Sequence, residues 1–549
     1  MHHGHRTLYR GHRTPGLLCL AVAGSLLTAC AGPPAADAAL PAAVSIAIGE
    51  PESPLVPGNT LEQYGAQVVE SLWTGLVDYT SDGRVEYSGV AESIVSADNT
   101  TWTVRLQPGW TFHDGSPVTA SSFVDAWNAT AYGPNAMAGS YYFANVVGYE
   151  DLQQPTDEDG EPTGEPAATE MSGLRVVDDL TFTVTLAAPF AQFPVTVGHD
   201  PFLPLPEAYF ADPEGFGSRP VGNGPFRAPE DFVPGEGVTL LRYEDYAGPH
   251  PAQVDAVEYR VYADTATAYT DALAGALDVL PSIPPDASGT AEEDFAGRYV
   301  ETSASDLTFL ALPLYDERYT DRRVRQALSM GVDRAAIAEA VFSGTRRPAA
   351  SVVAPVVPGH RAGACGYCRL DVERANDLLD QAGFDRSRPL ELWFNAGAGN
   401  DAWMEAVGNQ LRTHLGVDFV LRGDLAPAEY GPLMDQQGMT GPFRMGWSMD
   451  YPSPQSYLEP LYSTQARPPA GANMSSYSNP VFDALVAQGN AAPTQEEAIA
   501  AYNRAEDVLL EDMPVIPLFF GVAQTVHSAD VAGVVVDVFG RVDTSALTD

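Results

Sequence analysis

The chain has 549 residues and no lysine: all 29 of its basic residues are arginine, set against 72 acidic residues. The formal net charge is −43. Phosphate backbones require a basic face, so nucleic acid is excluded as a partner. Such acidity fits a soluble protein from an arginine-preferring genome, or adaptation to salt. Histidine is sparse. Of 10 in all, four fall within the first 12 positions, and the other six are scattered, which disfavours direct metal ligation. No Gly-x-Ser-x-Gly elbow and no His-Glu-x-x-His pair occurs, so a secreted hydrolase is not expected. Beyond the N-terminus no apolar run is long enough to cross a bilayer.

The N-terminus holds the one marked apolar run. Arg6, Arg10 and Arg13 precede the stretch from Leu17 to Leu27, which is too short for a membrane-spanning anchor. Leu27-Thr28-Ala29-Cys30 follows and resembles the bacterial lipoprotein cleavage box. The resemblance implies cleavage before Cys30 and a lipid on its sulfur, with residues 1–29 as the signal peptide. Several acyl chains on one residue would anchor the chain stably, where one holds it weakly. Residues 30–43 are mostly Ala, Pro and Gly and read as a flexible tether. Removing three arginines and no acid would leave the mature chain at −46. About 520 mature residues exceed what one core supports, so two or three domains are expected.

Four cysteines are present, and Cys19 and Cys30 belong to the leader and the lipid site. In an oxidising compartment the remaining pair, Cys365 and Cys368, reads first as a disulfide. A redox motif would need a thioredoxin-like strand and helix around it, and a metal site two more ligands. Free thiols remain the other alternative.

Hydrophobic periodicity predicts strands at 43–48, 102–106, 180–186, 238–242 and 256–261, then 307–312, 389–395, 417–422 and 513–520. Helices are expected at 68–77, 123–131, from 271, and at 321–330, 334–342, 372–381, 402–415 and 495–512. The acidic, Pro- and Gly-rich stretch 157–169 reads as a surface loop. His113-Asp114-Gly115-Ser116-Pro117 reads as a turn rather than a catalytic pair. Gly222-Asn223-Gly224 lacks the spacing and the lysine of a phosphate loop.

Six segments, in order, carry a resemblance. They are Leu72-Trp73-Thr74-Gly75-Leu76-Val77; Trp102 through Ala120; Pro220 through Phe226; Thr320 through Arg334; Gly446-Trp447-Ser448-Met449-Asp450-Tyr451-Pro452 with Tyr457-Leu458; and Met513 through Leu518. Together they resemble extracellular solute-binding protein family 5, the dipeptide- and oligopeptide-binding lipoproteins of ATP-binding-cassette importers. The resemblance implies an α/β, two-lobe periplasmic-binding-protein-like fold (class II, cluster C) with an additional domain in the first lobe. The first lobe would span 44–306, with the extra domain at about 61–200. The second lobe would span 307–512, and 513–549 would return to the first.

Function follows from the same resemblance. It implies no enzyme activity and no cofactor. The protein would be a monomer, lipid-anchored on the extracytoplasmic face, that hands short peptides to a permease driven by cytoplasmic ATPases. Asp450 would hold the ligand's α-ammonium, because a buried ammonium needs a charged partner. Arg444 through Ser448, with Gly446 and Trp447 between, would pair with the peptide backbone. Arg444 would meet a ligand carboxylate or serve as a surface ion pair. Asn395 and Tyr142 match cleft positions. Asn400-Asp401 departs from relatives that carry a basic residue nearby. The family also serves nickel chelates, haem, oligosaccharides and opines, and a peptide-sensing receptor would share this sequence pattern.

Overall fold

The computed structural model describes residues 41–157, 162–397 and 399–549. The expected signal peptide, Cys30 and most of the tether lie outside the described residues. No described helix is long and apolar enough to cross a membrane.

Eleven strands form one mixed sheet. Ten lie on one path, in the order Phe419–Arg422, Leu390–Trp393, Phe443–Trp447, Tyr299–Ala311, Val515–His527, Val279–Leu280, Val44–Ile48, Ala256–Val261, Gly237–Arg242 and Phe226–Arg227. Arg346–Pro348 adds to Val515–His527 off that path. Two strands of 13 residues each join the halves. Residues 299–303 pair with 526–522, and 307–311 pair with 520–515; register is lost between Ser303 and Leu307. Each side of that break has its own core. Val44, Ile46, Val257 and Tyr259 are buried on one side. Leu310, Leu390, Leu392 and Phe519 are buried on the other. A fully buried side chain of this size contributes about 1.5–3 kcal/mol, so each half holds itself together.

A separate antiparallel sheet lies within the segment 91–185, in the order Ala91–Ser96, Thr101–Leu106, Thr181–Thr185, Leu174–Asp178. Helix Ala120–Ala131 covers it, with Phe123 stacked on Phe182 at 6.0 Å and Trp127 edge-on to the same ring at 5.5 Å. The helix starts where Ser122 Oγ accepts the Thr119 backbone N–H at 3.1 Å.

Several expected elements shift. The helix expected at 68–77 runs from Gln63 to Leu72, because the Glu62 side chain caps its start and Trp73 leaves it in extended backbone. The helix expected to begin at Asp271 starts six residues earlier. It spans Thr265–Ala274, capped by Asp264 at one end and by left-handed Gly275 at the other. The two linking strands reach eight residues upstream of 307 and seven beyond 520. Tertiary pairing extends them past the runs where apolar alternation is visible.

The two glycine-containing turns meet each other. Gly222 N–H donates to Nδ1 of His113 at 3.1 Å, and the other ring nitrogen lies 3.1 Å from the Gly224 carbonyl. Burial pushes the imidazole pKa down to about 4, so the ring is neutral at pH 7. A Cβ at Gly222 would fall 1.9 Å from the Leu72 carbonyl oxygen. The junction locks the end of the first helix and leaves no room for a ligand. Cys365 and Cys368 form a disulfide with Cα atoms 5.4 Å apart, and both are buried.

Candidate functional site

A cavity of about 640 Å³ lies where the two halves of the large sheet meet. Ser448, Met449 and Asp450 line it from beyond the strand Phe443–Trp447; Ala304, Ser305 and Asp306 come from the register break, and Val522, Ala523 and Gln524 from the returning strand. Tyr141, Tyr142 and His199 form the wall contributed by the N-terminal half.

Asp450 sits just past the strand end, where Trp447 and Ser456 fix the backbone. The Trp447 indole N–H donates to the Ser456 carbonyl at 2.8 Å, and the Asp450 backbone N–H donates to Ser456 Oγ at 2.9 Å. The carboxylate accepts the Tyr142 hydroxyl proton at 2.9 Å. Burial lifts the Asp450 pKa to about 6, against the opposing pull of Tyr142 and Ser456. Among the described residues no cation reaches Asp450 within ion-pair distance.

Behind Tyr142 stands His199, with Nε2 3.1 Å from the Tyr142 oxygen. The Tyr142 proton is committed to Asp450, so Nε2 must carry the donor proton toward Tyr142. Nδ1 is then a buried acceptor without a partner. Burial holds His199 at about 4, with Asp200 pulling up and Arg541 down. Asp200 itself takes both carboxylate oxygens to Arg541 Nη1, at 3.0 and 3.2 Å. Glu70 and Asp537 also approach that guanidinium, at 3.5 and 3.6 Å. Asp200, Phe539 and Arg541 line both this cavity and a second one of about 340 Å³ on the acidic side of the N-terminal half.

The expected site residues divide. Tyr142, Ser448 and Asp450 line one cavity, although Tyr142 and Asp450 are 308 positions apart. Arg444, Gly446 and Trp447 belong to the strand behind them and do not line it. Asn395, expected in the cleft, stands apart from this cavity. It follows strand Leu390–Trp393, lies within 3.5 Å of Asn400 and Ala396 polar atoms, and is also absent from the cavity wall. One edge of strand Phe443–Trp447 is filled by Leu307–Ala311. On the other edge only Phe443 is paired, with Trp393, and the Tyr430 hydroxyl takes the Arg444 carbonyl at 3.1 Å. Sequence reasoning missed His199, Arg346 and Asp306. They come from segments far apart in the chain and carry no local motif.

Residues 87–468 match the family model for bacterial extracellular solute-binding proteins, family 5. The periplasmic murein peptide-binding protein MppA of Escherichia coli (strain K12) is 27% identical over 482 residues, 86% of either chain. A probable deoxycholate-binding periplasmic protein, YgiS, of the same strain is 26% identical over 478 residues, 85% of either chain. The periplasmic oligopeptide-binding protein OppA of that strain is 25% identical over 530 residues, 91% of this chain and 92% of that one. The unliganded open form of MppA superposes with a TM-score of 0.80 at 24% identity, covering 92% of this chain and 96% of that one, which shows a shared two-lobe α/β fold. The relatives are binding proteins and not enzymes. The match across most of the sequence and the common fold place this chain in the bacterial extracellular solute-binding proteins, family 5.

Proposed function

We propose that this chain captures short peptides outside the cytoplasm and delivers them to the permease of an ATP-binding-cassette importer. The observation that carries the reading is Asp450: an acid in a cavity, its pKa raised by burial, with hydroxyl partners but, among the described residues, no cation. A ligand ammonium supplies the missing charge and satisfies the remaining lone pairs. The edge of strand Phe443–Trp447 beyond Phe443, where only the Tyr430 hydroxyl meets the Arg444 carbonyl, would hold the ligand backbone, which gives affinity independent of side chains. Relatives named for murein peptide and oligopeptide binding support this ligand class. Residues 44–306 with 513–549 would form one lobe and 307–512 the other, closing as a monomer about the linking strands.

Calorimetry on wild type and Asp450→Ala, with free-amine and N-acetylated peptides, tests the reading. Loss of one partner of a buried charged pair costs roughly 2–5 kcal/mol, so the substitution should weaken free-amine peptides by about 30-fold or more. Acetylated peptides should bind wild type poorly and lose little further. Equal binding of both peptides to wild type would remove Asp450 from this role and favour a different solute on the same scaffold.

We also propose that the mature chain begins at a lipid-bearing Cys30 and is held at the membrane by it. Cys30→Ala should move the protein to the soluble fraction or leave its precursor uncleaved. Unchanged mass and unchanged membrane retention would refute the anchor.

A further inference from the structure

Arg346 and Asp306 form an ion pair on the wall of the Asp450 cavity. Its place in the fold sets it apart from the other surface pairs. Asp306 is one of the three residues, 304–306, at which the two linking strands lose register. Arg346 is paired through its strand with Gly521 on the returning strand. The Asp306 carboxylate lies over that glycine, where a Cβ would fall 1.7 Å from Oδ1. The pair is therefore a side-chain tie laid across the point where the two linking strands bend.

The charge count around it is also uneven. Arg444 lies close enough for burial chiefly, and the Arg346 guanidinium in addition, to lower its pKa; Tyr430 and Asp306 act the other way. Its Nε is buried without a partner. Two guanidiniums thus lie near the Asp306 carboxylate, which is in ion-pair contact with Arg346 alone. Arg346 and Asp306 each keep 35% of their side-chain surface open, so a ligand in the cavity can reach the pair.

We propose that Asp306 is an internal stand-in for a ligand carboxylate: it holds Arg346 in the empty protein, and the C-terminal carboxylate of a bound peptide displaces it. This rests on the peptide reading above and adds the ligand's second end. One guanidinium–carboxylate contact replaces another of the same kind, so the exchange gives selectivity for a free acid more than raw affinity. Displacement also removes the tie across the bend. The bound carboxylate thereby favours the closed state through a contact that the open state spends on Asp306. A peptide amide carries no charge to make the exchange.

The probes are alanine peptides of two to five residues, each as free acid, as C-terminal amide and as N-acetyl acid. Wild type should bind the free acid at least about tenfold more tightly than the amide. Arg346→Gln should reduce that ratio to about threefold or less, while the penalty for N-acetylation persists. Asp306→Asn leaves Arg346 unoccupied, so the free acid should tighten by about tenfold and the amide should change little. Small-angle scattering on wild type at saturation should show more compaction with the acid than with the amide, a readout that needs no variant. Equal acid and amide binding with the acetylation penalty intact overturns this inference alone. Loss of the acetylation penalty, or no binding by any probe, overturns the peptide reading and this one with it. Unchanged acid affinity in a folded Asp306→Asn protein overturns the exchange.

Discussion

The Tyr142 hydroxyl donates to Oδ1 of Asp450 at 2.9 Å, joining the wall of the N-terminal half to the segment that follows strand Phe443–Trp447. The bond stabilises the ionised carboxylate, yet burial still wins and leaves the pKa at about 6. A group poised there titrates close to neutrality, and its charge state becomes part of the binding equilibrium.

Binding of a free-amine peptide should therefore depend on pH with a fixed sign. The ammonium pairs with the ionised form, so binding lowers the Asp450 pKa and releases a proton wherever the free site is protonated. Affinity should be flat from about pH 7 to the α-amino pKa near 8, and fall by up to about tenfold per unit below pH 6. It should fall again above 8, as the peptide amine loses its proton. Calorimetry from pH 4.5 to 9 checks this. Tyr142→Phe removes the hydroxyl, raises the Asp450 pKa and should move the acid limb upward. A pH-independent affinity would contradict the assignment.

The same carboxyl should make the empty protein less stable. Its folded pKa of about 6 exceeds the reference value of 3.8, so the folded state binds more protons than the unfolded state between those values. Its contribution to stability is therefore lost as pH rises through that window. Asp450→Asn retains an acceptor for Tyr142 and removes the charge. It should stabilise the ligand-free protein by on the order of 2 kcal/mol at pH 7 and by nothing at pH 3.5. Urea unfolding at both pH values measures the difference. A loss of stability at pH 7 would mean that the ionised carboxylate is well solvated.

Much of this was legible in the sequence, and the limits have physical causes. Alternating strands such as Ala256–Val261 and long amphipathic helices such as Gln495–Asp512 declare themselves through periodicity. Helices Pro427–Asp435 and Gln455–Tyr462 do not, because each carries an internal proline that local rules read as a breaker. Asp450 and Tyr142 were accessible through motif resemblance. His199, Arg346 and Asp306 were not, since their neighbours are set by tertiary packing. Asp306 in particular gains its meaning from a break in strand register that no sequence pattern marks.

Arg541 should be the most costly single charge to remove. Burial opposes its charge, but Asp200, Glu70 and Asp537 outweigh that and hold the proton more firmly than usual. Burial already raises the pKa of Glu70 and of Asp537. Arg541→Met leaves three carboxylates around an apolar side chain and should destabilise by about 3–5 kcal/mol at pH 7. The penalty should shrink as pH falls, because protonating those acids relieves their repulsion. Denaturant unfolding of both proteins between pH 4 and 8 reads this out. A constant penalty across the range would assign the cost to packing against Phe539, whose ring the guanidinium covers at 4.7 Å.

Closure is the motion that the linking strands should permit. Among the described residues two strands, Tyr299–Ala311 and Val515–His527, join the halves of the large sheet, and they lose their pairing with each other at residues 304–306. Three unpaired residues bend at little cost, whereas sliding would break the pairs on either side, so rotation about this point is the expected response to ligand. The cavity walls come from both halves, which already touch through Tyr142 and Asp450, so rotation closes the remaining wall over whatever occupies the cavity. A pair of prolines at Ala304 and Ser305, both within the unpaired residues, should stiffen the bend and lower affinity by disfavouring the closed state, without emptying either core. Small-angle scattering of wild type should show a smaller radius of gyration on saturation with an alanine peptide, and the double variant should show less change. If both proteins give the same profile with and without bound peptide, the halves move together and the ligand is held in a site that is already formed.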